Sequence, residues 1–72
     1  MKVFVWNYVS KVSDNYHEGG GLVVFASDET RARELANSIP GVALRAEEAP
    51  DEVRFVEGDK EAFFVMPDAG CC

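Results

Sequence analysis

Residues 22–41, LVVFASDETRARELANSIPG, decide the fold, because a strand, a cap and a helix follow one another in them. The β-branched and aromatic residues 22–26 predict a short strand. Ser27 or Asp28 then serves as the helix N-cap, whose side-chain oxygen accepts from the first free backbone N–H groups. Pro40 and Gly41 end the helix. The sequence therefore predicts a strand that turns directly into one helix.

The predicted helix has one narrow apolar stripe. Its apolar residues recur at i, i+3, i+4 and i+7, which is the spacing of one helix face. Two of the four are alanines, so the helix can lie close to a sheet. The stripe consists of Ala32, Leu35, Ala36 and Ile39.

Three further strands are predicted outside this stretch. Residues 2–9, KVFVWNYV, are largely apolar on both faces and therefore predict either an interior strand or one that is covered on both sides. Residues 53–57 and 62–66 read as two strands joined by a hairpin turn at 58–60. The order β-β-α-β-β predicts an α+β fold, with a three- to four-stranded, mostly antiparallel sheet and one helix packed on one face. We expect residues 1–72 to form one small domain.

One helix cannot cover both faces of such a sheet. Trp6, Tyr8 and several phenylalanines are candidates for the uncovered face, where bulky aromatics would form a patch for self-association or for a partner. The alternative is that the loop at 10–21 folds over that face and Tyr16 fills it.

Composition excludes several classes of protein. Of the 72 residues, 47% are hydrophobic and 28% are charged, which is typical of a globular chain. The formal charge of −6 argues against direct nucleic-acid binding through phosphate neutralisation. No apolar run approaches the length of a membrane span and no signal-peptide pattern opens the chain, so we expect no membrane partner and a cytoplasmic location.

The surplus negative charge is confined to residues 47–72. Residues 1–46 hold five acids and five bases, whereas residues 47–72 hold eight acids and two bases. One interpretation is a charged surface that keeps the protein soluble. The other is an acidic face that binds a partner with a basic surface. The candidate binding residues on this interpretation are Glu47, Glu48, Asp51, Glu52, Glu57, Asp59, Glu61 and Asp68.

A glycine-rich loop supplies the second group of candidate binding residues. A strand and not a helix follows its three glycines, and no Lys-Ser/Thr pair accompanies them, so the loop is neither a P-loop nor a dinucleotide fingerprint. It is either a wide hairpin turn with a glycine bulge or a recognition loop. In the second case, loop 15–21 and tail 68–72 would hold a nucleotide-type ligand. The loop candidates are Asn15, Tyr16, His17, Gly19, Gly20 and Gly21.

The cysteines and histidine give only a weak metal or redox signal. Cys71 and Cys72 are adjacent, which is neither a zinc spacing nor a redox Cys-x-x-Cys spacing. With His17 and Asp68 they would form a thiolate-rich metal site in a Cys-based accessory protein, but their spacing does not predict one. We therefore expect no cofactor and no bound metal. A domain this small hardly builds a desolvated catalytic cleft alone, so we predict a protein that is not an enzyme.

The two ends of the chain resemble a group of viral proteins. The opening MKVFVWNYVSKVSDNYHEGGG and the closing FFVMPDAGCC look like short uncharacterised proteins encoded by tailed bacteriophages. The resemblance carries no catalytic residues. It implies a protein that inhibits or modulates a host protein, including one of antiviral defence, by binding it inside the host cell. A homodimer through an aromatic face or an edge strand is a further hypothesis.

Overall fold

A computed structural model describes residues 1–13 and 19–67 of the chain. Within them, one antiparallel sheet of four strands carries one helix, which confirms the predicted α+β class and the β-β-α-β-β order. The elements are strand β1 (Lys2–Val9), strand β2 (Gly20–Ala26), helix α1 (Glu29–Ser38), strand β3 (Glu52–Phe55) and strand β4 (Ala62–Pro67).

The strand order across the sheet is β3-β1-β2-β4, so β1 and β2 occupy its centre. The interior position predicted for residues 2–9 is thus correct. β1 pairs with β2 on one side, where Phe4 faces Val24, and with β3 on the other, where Phe4 faces Val53. β2 begins two residues before the predicted strand because Gly20 and Gly21 join the sheet.

The predicted hairpin between the last two strands is wrong. β3 and β4 lie at opposite edges of the sheet, with β1 and β2 between them. Gly58 has a positive φ of 112°, as a turn glycine does, but the segment 56–61 crosses the end of the sheet. That span is about 14 Å for three strand spacings, which six residues can bridge. The turn signal is therefore real, but it does not make the two strands neighbours.

Helix α1 begins and ends where the sequence predicts. The Oδ1 atom of Asp28 accepts a hydrogen bond from the backbone N–H of Arg31 at 2.8 Å, so Asp28 and not Ser27 is the N-cap. Past the end of the helix, Gly41 adopts a φ of 87°, which favours glycine. Ala32 and Ala36 are buried, and their small side chains let the helix pack on β2.

The core lies between the helix and one face of the sheet, here called the helix face. Residues 42–44 form no strand, but Val42 and Leu44 are buried in this layer as a second cover beside the helix. Trp6 is 1% exposed here, so its predicted place on the uncovered face is wrong. The buried core consists of Phe4, Trp6, Val9, Val12, Leu22, Val24, Ala26, Ala32, Ala36, Val42 and Leu44.

Candidate binding surface

The second face of the sheet, here called the open face, carries no helix among residues 1–13 and 19–67. Side chains alternate between the two faces of a strand, and the burial of β2 alternates in the same way from Gly20 to Ala26. The residues between the core positions therefore point to the open face. Its apolar members are Val3, Val5, Val23, Phe25, Ala62, Phe64 and Met66.

The open face is apolar and continuous across three strands. The pairing places Val5 beside Val23, and Val23 beside Phe64. Phe25 and Phe64 meet edge to face, with ring centroids 6.2 Å apart and planes at 76°. Phe64 is 58% exposed and Met66 is 52% exposed. These residues therefore form a patch, not scattered surface positions.

The charged residues of the four strands leave the open face neutral. Glu52 and Arg54 stand on this face at the β3 edge, opposite Val5 and Val3. Arg54 donates to the Oε1 atom of Glu52 at 2.7 and 3.1 Å, so the two charges compensate each other. The four strands thus contribute no net charge to the open face.

Glu48, a predicted binding residue, holds its own chain together. One carboxylate oxygen accepts from the backbone N–H of Ser10 at 3.0 Å, and the other accepts from the backbone N–H of Arg45 at 3.0 Å. Its backbone oxygen accepts from Trp6 Nε1 at 2.9 Å. Burial raises the pKa of Glu48, but the hydrogen bonds from Ser10 and Arg45 outweigh it and hold the pKa below the ordinary value of 4.5.

This network predicts an acid-sensitive contribution to stability. A carboxylate whose folded pKa is depressed stabilises the fold above its unfolded pKa, and loses that effect as pH falls through its folded pKa. We expect Glu48→Gln to lower the free energy of unfolding at pH 7. The difference in free energy of unfolding between Glu48→Gln and the wild type should become smaller as the pH falls through 4.5 and below. Urea unfolding at a series of pH values measures this gap.

Glu47→Gln is the matched control. Its carboxylate is exposed and lies 3.9 Å from the Arg45 guanidinium, a pair of little energetic weight. The Glu47→Gln profile should follow the wild type. A constant gap between Glu48→Gln and wild type from pH 7 to pH 3 would contradict the role assigned to the Glu48 carboxylate.

Three other predicted acids also bond within the chain. Asp51 Oδ2 accepts from the backbone N–H of Asn7 at 2.6 Å. Glu61 receives two hydrogen bonds from the Arg31 guanidinium, at 2.7 and 3.0 Å, which lower the pKa of Glu61 and raise that of Arg31. The third is Glu52, paired with Arg54 as described above.

Among the predicted acids that the structure describes, Glu57 and Asp59 are the two whose carboxylates make neither a hydrogen bond nor an ion pair with described residues. Both are exposed and lie in the segment that crosses the end of the sheet. That end is where Arg54, Val3, Phe25 and Ala62 stand in one row across the open face. Glu57 and Asp59 therefore border the open face at this end, together with the exposed Lys60.

Two glycines of the predicted loop have a packing role. A Cβ at Gly19 would lie 2.2 Å from the Tyr8 hydroxyl oxygen, so the Tyr8 ring occupies that space. A Cβ at Gly21 would lie 3.2 Å from Met66 Cε, so the absence of a side chain at Gly21 leaves room for the Met66 side chain on the open face. Gly20 pairs with Val9 and with Pro67.

The other predicted ligand residues lie outside the described residues: Asn15, Tyr16, His17, Asp68, Cys71 and Cys72. The Gly20–Pro67 pair places the start of β2 beside the end of β4, at the same end of the sheet. The ligand site of loop 15–21 and tail 68–72 stays a prediction. Within 1–13 and 19–67, no group of three His, Cys, Asp or Glu residues is placed to hold a metal ion.

Sequence reasoning predicted an aromatic patch on the uncovered face, but it did not name Val23, Phe25, Phe64 and Met66 as the residues that form it. The signal was the alternation within each strand combined with the single helix, which together predict one bare apolar face. Tyr8 is 63% exposed, as that reasoning expects, but Val23, Phe25, Phe64 and Met66 build the patch.

Comparison with known proteins gives no relative: no family model, no curated protein and no solved structure matches this chain. None of the helical segments in the described part of the chain is long and apolar enough to cross a membrane.

Proposed function

We propose that this chain is a non-catalytic binding protein that docks a partner protein on the open face of its sheet. The observation that carries the proposal is the uncovered apolar patch centred on Val23, Phe25 and Phe64. Large exposed apolar patches on small proteins commonly mark interaction sites. Aromatic residues and methionine are enriched in the cores of such interfaces.

The charges around the patch indicate the chemistry of the partner. The open face is neutral because its centre is apolar and Glu52 and Arg54 at the β3 edge compensate each other, whereas Glu57 and Asp59 border one end without ion pairs to described residues. The chain as a whole carries −6. A complementary surface therefore has an apolar centre and lysine or arginine at its rim. Such a rim would speed the encounter through long-range attraction.

The acidic residues play a smaller part in this proposal than sequence reasoning assigned to them. The carboxylates of Glu48 and Asp51 accept hydrogen bonds from backbone N–H groups of their own chain. The carboxylate of Glu61 accepts hydrogen bonds from Arg31. A partner that took these oxygens would have to break bonds that hold the fold. The basic rim of the partner is thus proposed to meet Glu57 and Asp59.

The resemblance to phage-encoded proteins makes a bacterial host protein the first candidate partner, including a protein of antiviral defence. Inhibition or modulation of that protein would follow from occupation of its apolar surface. No active site of this chain's own is required for such a role.

Substitution of one exposed phenylalanine on each face tests the proposal. Phe64→Glu places a charge on the open face beside Val23 and Phe25, whereas Phe55→Glu places the same charge on the helix face, where Phe55 is 81% exposed. We expect Phe64→Glu to abolish capture of a defined protein from bacterial lysate, because an unpaired charge would be buried. Phe55→Glu should capture as much as the wild type.

Salt dependence of the captured complex provides the second measurement. We expect the association rate to fall about tenfold or more between low and high ionic strength, because attraction at the rim is screened. Equal capture by wild type and Phe64→Glu would contradict the open face as the binding surface. A rate that is independent of salt would contradict the basic rim.

A further inference from the structure

We propose that β4 is the contact strand of a homodimer, in which two copies pair their β4 strands antiparallel and form one continuous eight-stranded sheet. This inference rests on the edge of the sheet and not on the binding role of the open face. Within the described residues β4 is an outermost strand, with β2 on one side only.

The two edges of the sheet differ in protection against another strand. Exposed edge strands invite pairing with other chains, and charged side chains are a common defence. β3, the other edge, carries Glu52 and Arg54 within its four residues. β4 reads AFFVMP and has no charge. Phe63, Phe64 and Met66 are all exposed on it.

At two positions, the backbone of β4 presents hydrogen-bonding groups that have no partner among the described residues. Proline has no N–H, so the Gly20–Pro67 pair is not a hydrogen-bonded one, and the pairs of an antiparallel ladder alternate. Ala62, Phe64 and Met66 therefore bond to β2. Phe63 and Val65 direct their N–H and C=O groups away from the sheet.

The opposite edge gives the same pattern independently. Val56 N–H donates to Met1 O at 3.1 Å, so Met1–Val56 is a bonded position of the β1–β3 ladder and Val3–Arg54 is the next. The same alternation of hydrogen-bonded and non-hydrogen-bonded pairs then continues through β1 and β2 to the β4 edge. It again places the inward bonds of β4 at Phe64 and leaves Phe63 and Val65 facing outward.

One register of two β4 strands satisfies these groups and fits the side chains. With Phe64 on the twofold axis, Phe63 of each copy exchanges two hydrogen bonds with Val65 of the other, giving four in all. The same register sets Ala62 of one copy opposite Met66 of the other on the open face, a small residue against a large one. The two Phe64 side chains form a close non-hydrogen-bonded pair. The strand is thus complementary to itself.

The charge distribution also favours a second copy at this edge. Two chains of −6 repel each other, but β4 is the edge strand that carries no charge. Glu61, which precedes β4, is compensated by the bidentate bond from Arg31. The remaining repulsion acts over distances that physiological salt screens, with a Debye length of about 8 Å. Pairing would also join the two open faces into one wider surface.

The test compares two proline variants on the full chain by sedimentation equilibrium. Phe63→Pro removes an outward N–H of β4, whereas Phe55→Pro removes an outward N–H of β3. Both replace an exposed phenylalanine on the helix face of an edge strand. We expect wild type and Phe55→Pro to show twice the 7.9 kDa chain mass, with a micromolar dissociation constant. Phe63→Pro should dimerise at least about tenfold more weakly.

A second measurement keeps the proposal testable if Phe63→Pro fails to fold. Amide exchange of the wild type at rising protein concentration should slow at Phe63 and Val65 and stay constant at Val53 and Phe55. A wild type that stays monomeric at about 1 mM, or exchange that is independent of concentration at Phe63 and Val65, overturns the proposal.

Two further outcomes separate this proposal from the proposed function. A dimer that survives Phe63→Pro but is lost in Phe64→Glu means that copies meet through their open faces, which overturns β4 pairing. A monomeric Phe63→Pro that still captures the lysate partner supports both proposals as independent of each other. A dimeric wild type that captures no partner supports β4 pairing and contradicts the proposed function alone.

Discussion

Trp6→Ala is expected to lower the free energy of unfolding more than any of the other substitutions. Trp6 is almost fully buried, packs near the Phe4 ring at a centroid distance of 6.4 Å, and donates from Nε1 to the backbone oxygen of Glu48. Removing a large buried aromatic costs about 3–5 kcal/mol. A domain of this length has a total stability of only about 4–11 kcal/mol. The loss is therefore a large fraction of the total stability, and the variant should unfold at a much lower urea concentration than the wild type.

Circular dichroism during urea unfolding measures this effect without using the indole as the probe. Tyr8→Ala is the matched control, because Tyr8 is an aromatic residue of the same strand that is largely exposed. We expect Tyr8→Ala to cost less than about 1 kcal/mol. Equal losses in the two variants would contradict the burial of Trp6 beneath the helix and the 42–48 segment.

Arg33→Ala is expected to cause the second-largest loss of stability, about 2–3 kcal/mol. Arg33 lies on α1 and donates to the backbone oxygens of Arg45 and Glu48, each at 3.0 Å, while its Nε bonds to Glu29. It thus ties the helix to the segment that covers Trp6. The lysine ammonium lacks the planar guanidinium that makes these three bonds together. Arg33→Lys should therefore keep only part of the stability that Arg33→Ala loses.

Arg31→Ala is the control for Arg33. The two arginines stand two residues apart on one helix, but Arg31 bonds exposed carboxylates of Glu61 and Glu34. Exposed ion pairs contribute about 0–1 kcal/mol. The midpoint of urea unfolding should therefore fall clearly for Arg33→Ala and little for Arg31→Ala. A larger fall in the midpoint for Arg31→Ala than for Arg33→Ala would contradict the role of the Arg33 bonds in holding α1 to residues 45–48.

The local elements could be predicted from sequence because short-range chemistry determines them. Three such features act within a few residues: the N-cap at Asp28, the apolar stripe of α1 and the apolar pattern of residues 2–9. Which strands become neighbours in the sheet is not determined by such short-range chemistry. The turn at Gly58 looked like a hairpin turn, but whether it pairs two strands depends on which edge of β1 is still free. Only the long-range pairing of Val3 with Arg54 answers that question.

The candidate surface was partly predictable for the same reason. One helix on a four-strand sheet implies a bare face, yet alternation alone does not tell which set of side chains the helix covers. Trp6 was therefore placed on the wrong face. The acids illustrate the second limit: a carboxylate such as Glu48 counts as surface charge in the sequence, whereas its partner Ser10 lies 38 residues away along the chain.

A photo-crosslinking amino acid at position 64 tests the central claim, that the open face is the binding surface, most directly. The same group at position 55 provides the control, since both positions hold exposed phenylalanines of edge strands on opposite faces. After irradiation in bacterial lysate, we expect position 64 to give an adduct with a protein other than this chain, and position 55 to give none. An adduct with that protein from position 55 alone, or with equal yield from both positions, would contradict the account.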